Sequence, residues 1–246
     1  MVDALFDEWR DRREREGARV DLHDLYALVA DARDVAPDDL PIHERQALAR
    51  RALLVIWPGF EQVAPIRQTE PIRISAYRPE WVQAFVDLRD RLAGALGPVA
   101  LRIDHIGSTA VPGLAAKPII DLQVSVADLA DEDAYVPGCA EAGFELYTRD
   151  DAHRFFDIAP PMARTAHLHV CASGGAFERD HLLFRDFLLA HADERDGYAA
   201  MKREAAAKWG DDRLGYTYAK NEYILDLLDR ANDWAAAIDW SVAEGA

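Results

Sequence analysis

The sequence predicts an α/β (α+β) protein: a mixed β-sheet flanked by helices, with an N-terminal helical extension and a helical C-terminal lobe. Three observations predict it. Residues 2–56 and 177–240 space their apolar side chains at helical intervals, whereas residues 101–173 hold short runs that alternate or are continuously apolar, as strands do. Half of the 246 residues are hydrophobic, enough to build a full core. The texture changes at VAPIRQTEPIRISAY, where prolines interrupt both patterns. A boundary near residue 66 therefore separates an extension, 1–65, from a main domain, 66–246.

In chain order, LFDEWRDRRERE, LHDLYALVADA and PIHERQALARRALLVIW read as three helices, punctuated by PDDLP and WPGF. Alternating Ile72 and Ile74 suggest a short strand after the linker. Trp81, Phe85, Leu88 and Leu92 mark an amphipathic helix that stops at Gly97 and Pro98. ALRIDHIG alternates Leu101, Ile103 and His105, and PIIDLQVSV is a β-branched strand after Pro118. DEDAYVPGCAEAG reads as a helix despite Pro137 and Gly138. FELYT, RFFDIA and TAHLHVCAS are further strands, and helices return from Phe177 to Trp240 with a break at GDDRLGYT.

The net charge of −16 argues against a general nucleic-acid partner, which needs clustered Lys and Arg to neutralise phosphates. A small-molecule substrate fits better. No apolar run reaches membrane-span length, and the charged start MVDALFDEWRDRREREG does not resemble a signal peptide, so a cytoplasmic location is expected. Cys139 and Cys171 lack metal-ligand spacing and read as reduced core thiols. The alternating charges of DEWRDRRERE describe a solvated helix face; residues 1–65 could also meet a protein partner.

The chemistry concentrates in HIGSTAVPGLAAKPIIDLQVSV, residues 105–126. Gly107 and Ser108 end one strand, and Asp121 stands inside the next, where an ionised group needs a cation or hydrogen bonds to offset its burial. A Gly-Ser loop lets a hydroxyl and backbone amides approach a polyphosphate, while a strand carboxylate reaches Mg²⁺ between the phosphates. Ser108 and Thr109 could equally satisfy turn amides. His105, His167 and His169 invite a metal reading, the last two alternating on one strand and facing one side, but without a third clustered His or Cys at zinc spacing a satisfied polar strand is the preferred reading; if the Asp121 strand lies beside theirs, a mixed Asp and His site is the alternative. Lys117 lies at the mouth of the Asp121 strand. Arg185 and Asp186 are neighbours on a helix and are not expected to pair, leaving one to point into the cleft. Among the later lysines, Lys202 reads as an ordinary salt-bridging residue and Lys220 as the substrate-facing one.

HIGSTAVPGLAAKPIIDLQVSV, with HLHV at 167–170, FRDFLLAH at 184–191 and YTYAKNEYI at 216–224, resembles the GrpB-like family of the nucleotidyltransferase-like superfamily, over residues 72–240. The resemblance implies a nucleotidyltransferase-like fold. It also implies a Gly-Ser pair followed by a strand bearing two carboxylates one residue apart. Gly107 and Ser108 match the pair and Asp121 the first carboxylate, but the second position is Gln123, a weak magnesium ligand. Members of the family also occur fused to dephospho-coenzyme A kinase.

The expectation is thus a metal-dependent, nucleotidyltransferase-like enzyme acting on a nucleoside triphosphate and a small-molecule acceptor. Asp121, Ser108 and His169 are the catalytic candidates. Gly107, Ser108, Thr109, Lys117, Arg185 and Lys220 would bind substrate or phosphate; Asp121, with Gln123, His167 and His169, would hold Mg²⁺. A non-catalytic nucleotide-binding or accessory module on the same fold competes with it, and a nucleotide-dependent ligase is a further alternative.

Overall fold

A computed structural model describes residues 1–64, 71–159 and 165–243 of the chain. Helices α1 (Val2–Glu16), α2 (Leu22–Asp31) and α3 (Ile42–Ile56) precede a two-residue strand, β1 (Glu61–Gln62). Helix α4 (Glu80–Leu96) leads into β2 (Arg102–Ile106) and β3 (Ile120–Val126). Helix α5 (Glu132–Glu141) is followed by β4 (Phe144–Arg149), β5 (His153–Ile158) and β6 (Ala166–Ala172). Helices α6 (Ala176–Ala190), α7 (Ala192–Trp209), α8 (Arg213–Tyr218) and α9 (Asn221–Ile238) follow. The strands form one mixed sheet in the order β1-β4-β5-β6-β3-β2, in which β3 and β6 run parallel and the other neighbours antiparallel. Among the described residues no helix is long and apolar enough to cross a membrane.

The period-two alternation of β3 and β6 sorts their side chains onto two chemically different faces. Ile120, Leu122, Val124 and Val126 join Leu168 and Val170 on one face, packed against Trp81, Leu92 and Leu96 of α4 and Tyr135 and Cys139 of α5. Gly138 permits that helix pair to approach closely: a Cβ there would lie 2.8 Å from Leu96 Cδ2 and 3.0 Å from the Ala95 carbonyl oxygen. The opposite face carries Asp121, Gln123 and Ser125 beside His167, His169 and Cys171. Phe177 and His181 of α6 stack over part of it, on His153 and His169.

The three N-terminal helices share a core with the far end of the chain. Phe6, Trp9, Leu22, Leu25, Tyr26 and Leu48 pack with Ala205 and Trp209 of α7 and with Tyr216 and Tyr218 of α8. Polar ties reinforce the contact: His23 Nε2 bonds the Gly215 carbonyl at 2.7 Å, and buried Arg45 meets buried Asp212 at 3.3 Å. On α1 the exposed charges pair locally, Arg10 with Asp7 and Arg12 with Glu16, as a solvated face does.

Several expectations are corrected. The strand expected at Ile72–Ile74 does not form; the Ile72 amide donates to the Gly210 carbonyl, and pairing with the β2–β3 connection is limited to one bridge, Ser75 to Ala116. The break at GDDRLGYT contains the short helix α8, started by Asp212, whose carboxylate accepts from the Gly215 amide. Strand β1 carries no sequence signal at two residues. The boundary near residue 66 falls in 65–70, outside the described residues.

Trp9 is 1% exposed and donates its indole N–H to the Asp21 carbonyl at 2.7 Å. Trp9→Ala should cost about 3–5 kcal/mol, lowering Tm by roughly 2–4 °C per kcal/mol while leaving one cooperative melting transition. A separate early transition in calorimetry would contradict the shared core.

Candidate functional site

The site forms where the β2–β3 connection meets α7 and the start of α9. Gly107 follows β2 at φ 67°, a left-handed conformation that suits glycine, and a Cβ there would sit 2.6 Å from Asp121 Oδ2. That glycine lets the loop pass directly over the carboxylate. The turn continues with the Ala110 amide donating to the Gly107 carbonyl and the Val111 amide to that of Ser108. Ser108 remains half-buried at the loop surface.

Asp121 is paired as its position demands. Its Oδ1 meets His167 Nδ1 at 2.9 Å across the parallel β3–β6 ladder, where the two residues are in register. Burial pulls the Asp121 carboxyl upward, but the His167 hydrogen bond, with His167, His169 and Lys117 nearby, overcomes it and holds the group at about 2. With 28% of its side chain exposed, it faces the opening as a carboxylate.

Around it stand three of the chain's four lysines. Lys202, on α7 and only 2% exposed, donates from Nζ to Ser108 Oγ at 2.8 Å and lies 4.5 Å from the Tyr198 ring centroid. Lys117 and Lys220 both lie over the Tyr216 ring, their Nζ atoms 5.2 and 4.5 Å from its centroid. Burial, then the charges of Lys220, Arg203 and Lys117, bring Lys202 down to about 7, opposed by Asp121. Burial brings Lys220 down to about 8, with Asp121 opposing and Arg213 adding to it. A cluster of cations with a single carboxylate among them is poised for an added anion.

Of the predicted residues, Gly107, Ser108, Lys117, Asp121, His167 and Lys220 come together. Thr109 does not join them: buried, it donates to the Ile119 carbonyl at 3.3 Å and meets His105 Nε2 at 3.0 Å, closing the connection internally. His105 projects from the other face of the sheet, stacked on Phe85 of α4. Arg185 is turned to the far edge of the polar face. It does pair with Asp186, at 2.8 Å, and reaches Asp104 at 3.6 Å and the His105 carbonyl at 3.2 Å. A long guanidinium can bend back to an adjacent residue where two short side chains could not. Lys202, expected to form an ordinary salt bridge, instead holds Ser108. Its only sequence signal is the neighbouring Tyr198, one helical turn earlier.

His169 and Gln123 lie deeper along the same face. His169 stacks between His153 and His181, 5.7 and 6.1 Å away, and burial first, then His153, keeps it well below the usual imidazole range, so it is neutral. Gln123 is fully buried, and neither side-chain amide atom has a hydrogen-bond partner among the described residues. Among the described residues no group of three or more His, Cys, Asp and Glu converges to hold a metal ion. Asp121 therefore fits Mg²⁺ only as a single protein ligand, the remaining positions being left to phosphate oxygens and water, an arrangement magnesium accepts.

A family model described as "GrpB protein" matches residues 71–230. The chain belongs to the GrpB family. The match spans strands β2–β6, the lysine cluster and part of α9, and begins after the three N-terminal helices and β1. A UPF0157 protein of Streptomyces coelicolor is 41% identical over 160 residues, covering 65% of this chain and 84% of that one. A dephospho-CoA kinase of Mycolicibacterium paratuberculosis is 33% identical over 196 residues, covering 69% of this chain but 48% of the kinase. The crystal structure of conserved protein GrpB from Enterococcus faecalis superposes with a TM-score of 0.58 at 29% identity, over 65% of this chain and 96% of that one.

Because Lys202 falls to about 7 from its ordinary 10.5, it costs stability fully below about pH 7, and the cost is relieved as pH rises towards 10.5. Lys202→Met should therefore gain stability relative to the native chain at pH 6, and the gain should shrink at pH 9, read by urea denaturation. A gain independent of pH would contradict the lowered proton affinity.

Proposed function

We propose that this GrpB-family chain binds a phosphate-bearing small molecule over the Gly107–Ser108 loop, a nucleoside triphosphate being the favoured class, and acts on it as a nucleotidyltransferase-like enzyme. One observation carries the reading. In a protein of net charge −16, three of four lysines gather at one opening, on Ser108 and Tyr216, beside a single carboxylate. Charge of one sign focused in a cleft recruits the opposite charge.

In this reading Lys117 and Lys220 hold phosphate oxygens, Ser108 orients the nearest one, and Asp121 is the residue that would hold a magnesium ion. Bound there, the ion would neutralise charge developing on the phosphates. His167 keeps the Asp121 carboxylate ionised and fixed in direction. A small hydroxyl- or amine-bearing acceptor fits the acidic surface better than a nucleic acid.

A second reading, a non-catalytic nucleotide-binding or accessory module, is favoured by one specific residue, the neutral Gln123 in place of a second carboxylate. The family's presence in proteins named dephospho-CoA kinase is compatible with either reading and makes dephospho-CoA a probe worth including.

The test is a thermal-shift series with pyrophosphate, nucleoside triphosphates and dephospho-CoA, each with and without Mg²⁺. A ligand at a hundredfold its Kd should add about 2.7 kcal/mol, a rise of roughly 5–10 °C for a chain of this size. Asp121→Asn should remove the Mg²⁺-dependent part of the shift. No shift with any of these ligands would overturn the reading, and a shift with unchanged nucleotide after prolonged incubation with candidate acceptors would favour the accessory module.

A further inference from the structure

Ser108 has a polar partner of a particular kind. Lys202 Nζ lies 2.8 Å from its Oγ, and the buried ring of Tyr198 lies 4.5 Å from the same Nζ. Lys202 and Tyr198 both come from α7, one helical turn apart, with the Lys202 ammonium position over the Tyr198 ring. The layering matters: Ser108 is half-buried at the opening, whereas Lys202 and Tyr198, 2% and 4% exposed, stand behind it. An arriving ligand therefore meets the serine before the lysine.

Lys202 also lacks what a buried ammonium ordinarily has. No carboxylate forms an ion pair with it among the described residues, and an unpaired charge at such burial is costly. The charged groups that bear on it are Lys220 at the start of α9, Arg203 on its own helix, Lys117 before β3, and Asp121 on β3, three cations against one anion. Such surroundings favour the free amine, a proton acceptor. A serine hydroxyl held by a neutral lysine is an activated nucleophile, as in Ser-Lys variants of the serine triad.

We propose that Ser108, Lys202 and Tyr198 form a nucleophilic triad in which Ser108 accepts a phosphoryl or acyl group from an activated anhydride donor. The proposal deepens the anion-site reading and rests on it for the donor's phosphate, placed over Lys117 and Lys220. In the step, Ser108 Oγ bonds to the phosphorus or carbonyl carbon, and the anhydride bond breaks with its electron pair leaving on the departing phosphate. The Oγ proton passes to the Lys202 amine. The resulting ammonium is stabilised by the phosphate anion just released beside it and by the Tyr198 ring it lies against. In the second step the acceptor hydroxyl or amine bonds to the transferred group as its bond to Oγ breaks; the Lys202 ammonium returns its proton to Oγ and the acceptor's proton passes to solvent, regenerating Ser108 and the free amine.

The test uses an uncharged electrophile, so that reactivity is read apart from anion binding. The full chain is treated with phenylmethylsulfonyl fluoride from pH 5.5 to 9, and adducts are followed by intact mass and peptide mapping. The expected result is one sulfonyl adduct on Ser108, with fluoride lost and a rate that rises with pH about a midpoint near 7. Ser108→Ala should abolish it. Lys202→Met should slow it about 10²–10⁴-fold and remove the midpoint, and Tyr198→Phe, which keeps the ring against the ammonium, should leave rate and midpoint close to native. No adduct, equal labelling in Ser108→Ala, or a pH-independent rate would each overturn the triad. If Lys202→Met does not fold, the native pH profile with Ser108→Ala decides alone. A pyrophosphate thermal shift without serine labelling sinks the triad and leaves the anion site standing; labelling without any shift supports the nucleophile and sinks the anion-site reading.

Discussion

The parallel register between β3 and β6 is the constraint on which the site depends. It sets Asp121 directly beside His167, and the two-residue period then places Gln123 beside His169 and Ser125 beside Cys171. On the other face the same register delivers Leu122, Val124, Leu168 and Val170 to the core under α4 and α5. A slip of one residue would turn Asp121 into that apolar layer and lose its His167 hydrogen bond, so packing and electrostatics enforce the same alignment. Gly107 completes the arrangement, since no larger residue leaves room for the loop to cross Asp121.

From that fixed carboxylate the rest of the site is assembled by elements far apart in sequence. Helix α7 supplies Lys202 and Tyr198, and α8 supplies Tyr216 as the platform under Lys117 and Lys220. The platform is held from behind by the N-terminal helices, through His23 on the Gly215 carbonyl and Arg45 on Asp212. Residues 1–64 lie outside the family match yet buttress a residue of the site. Lys202 and Lys220 are buried at an energetic cost visible in their lowered proton affinities, to about 7 and about 8, burial being the first cause and neighbouring cations the second, and an anionic ligand would offset it.

Much of the fold was legible because its elements announce themselves locally. The α1–α4 periodicities, the β-branched run of β3 and the alternation of HLHV in β6 each follow from side chains facing one core. The parts that were not legible depend on tertiary partners. Ile72 and Ile74 alternate as a strand would, but the Ile72 amide bonds the α7–α8 connection instead of a sheet. The sequence motif located Gly107, Ser108 and Asp121, and Lys117 and Lys220 joined them. Thr109 and Arg185 lie apart from that cluster, a placement local sequence does not mark because a hydroxyl or guanidinium looks the same whether it closes a loop or meets a ligand. Lys202 was read as a salt-bridging residue because nothing local marks a lysine that is buried with no ion-pairing carboxylate among the described residues.

The central claim is that the lysine cluster is an incomplete charge arrangement awaiting an anion. Isothermal calorimetry of pyrophosphate binding at pH 8, in buffers of differing ionisation enthalpy, measures it directly. Lys220, about 8 when free, should become fully protonated beside the ligand it holds, so the account predicts net proton uptake that disappears in Lys220→Met. Binding with no proton uptake, or no binding at all, would contradict it.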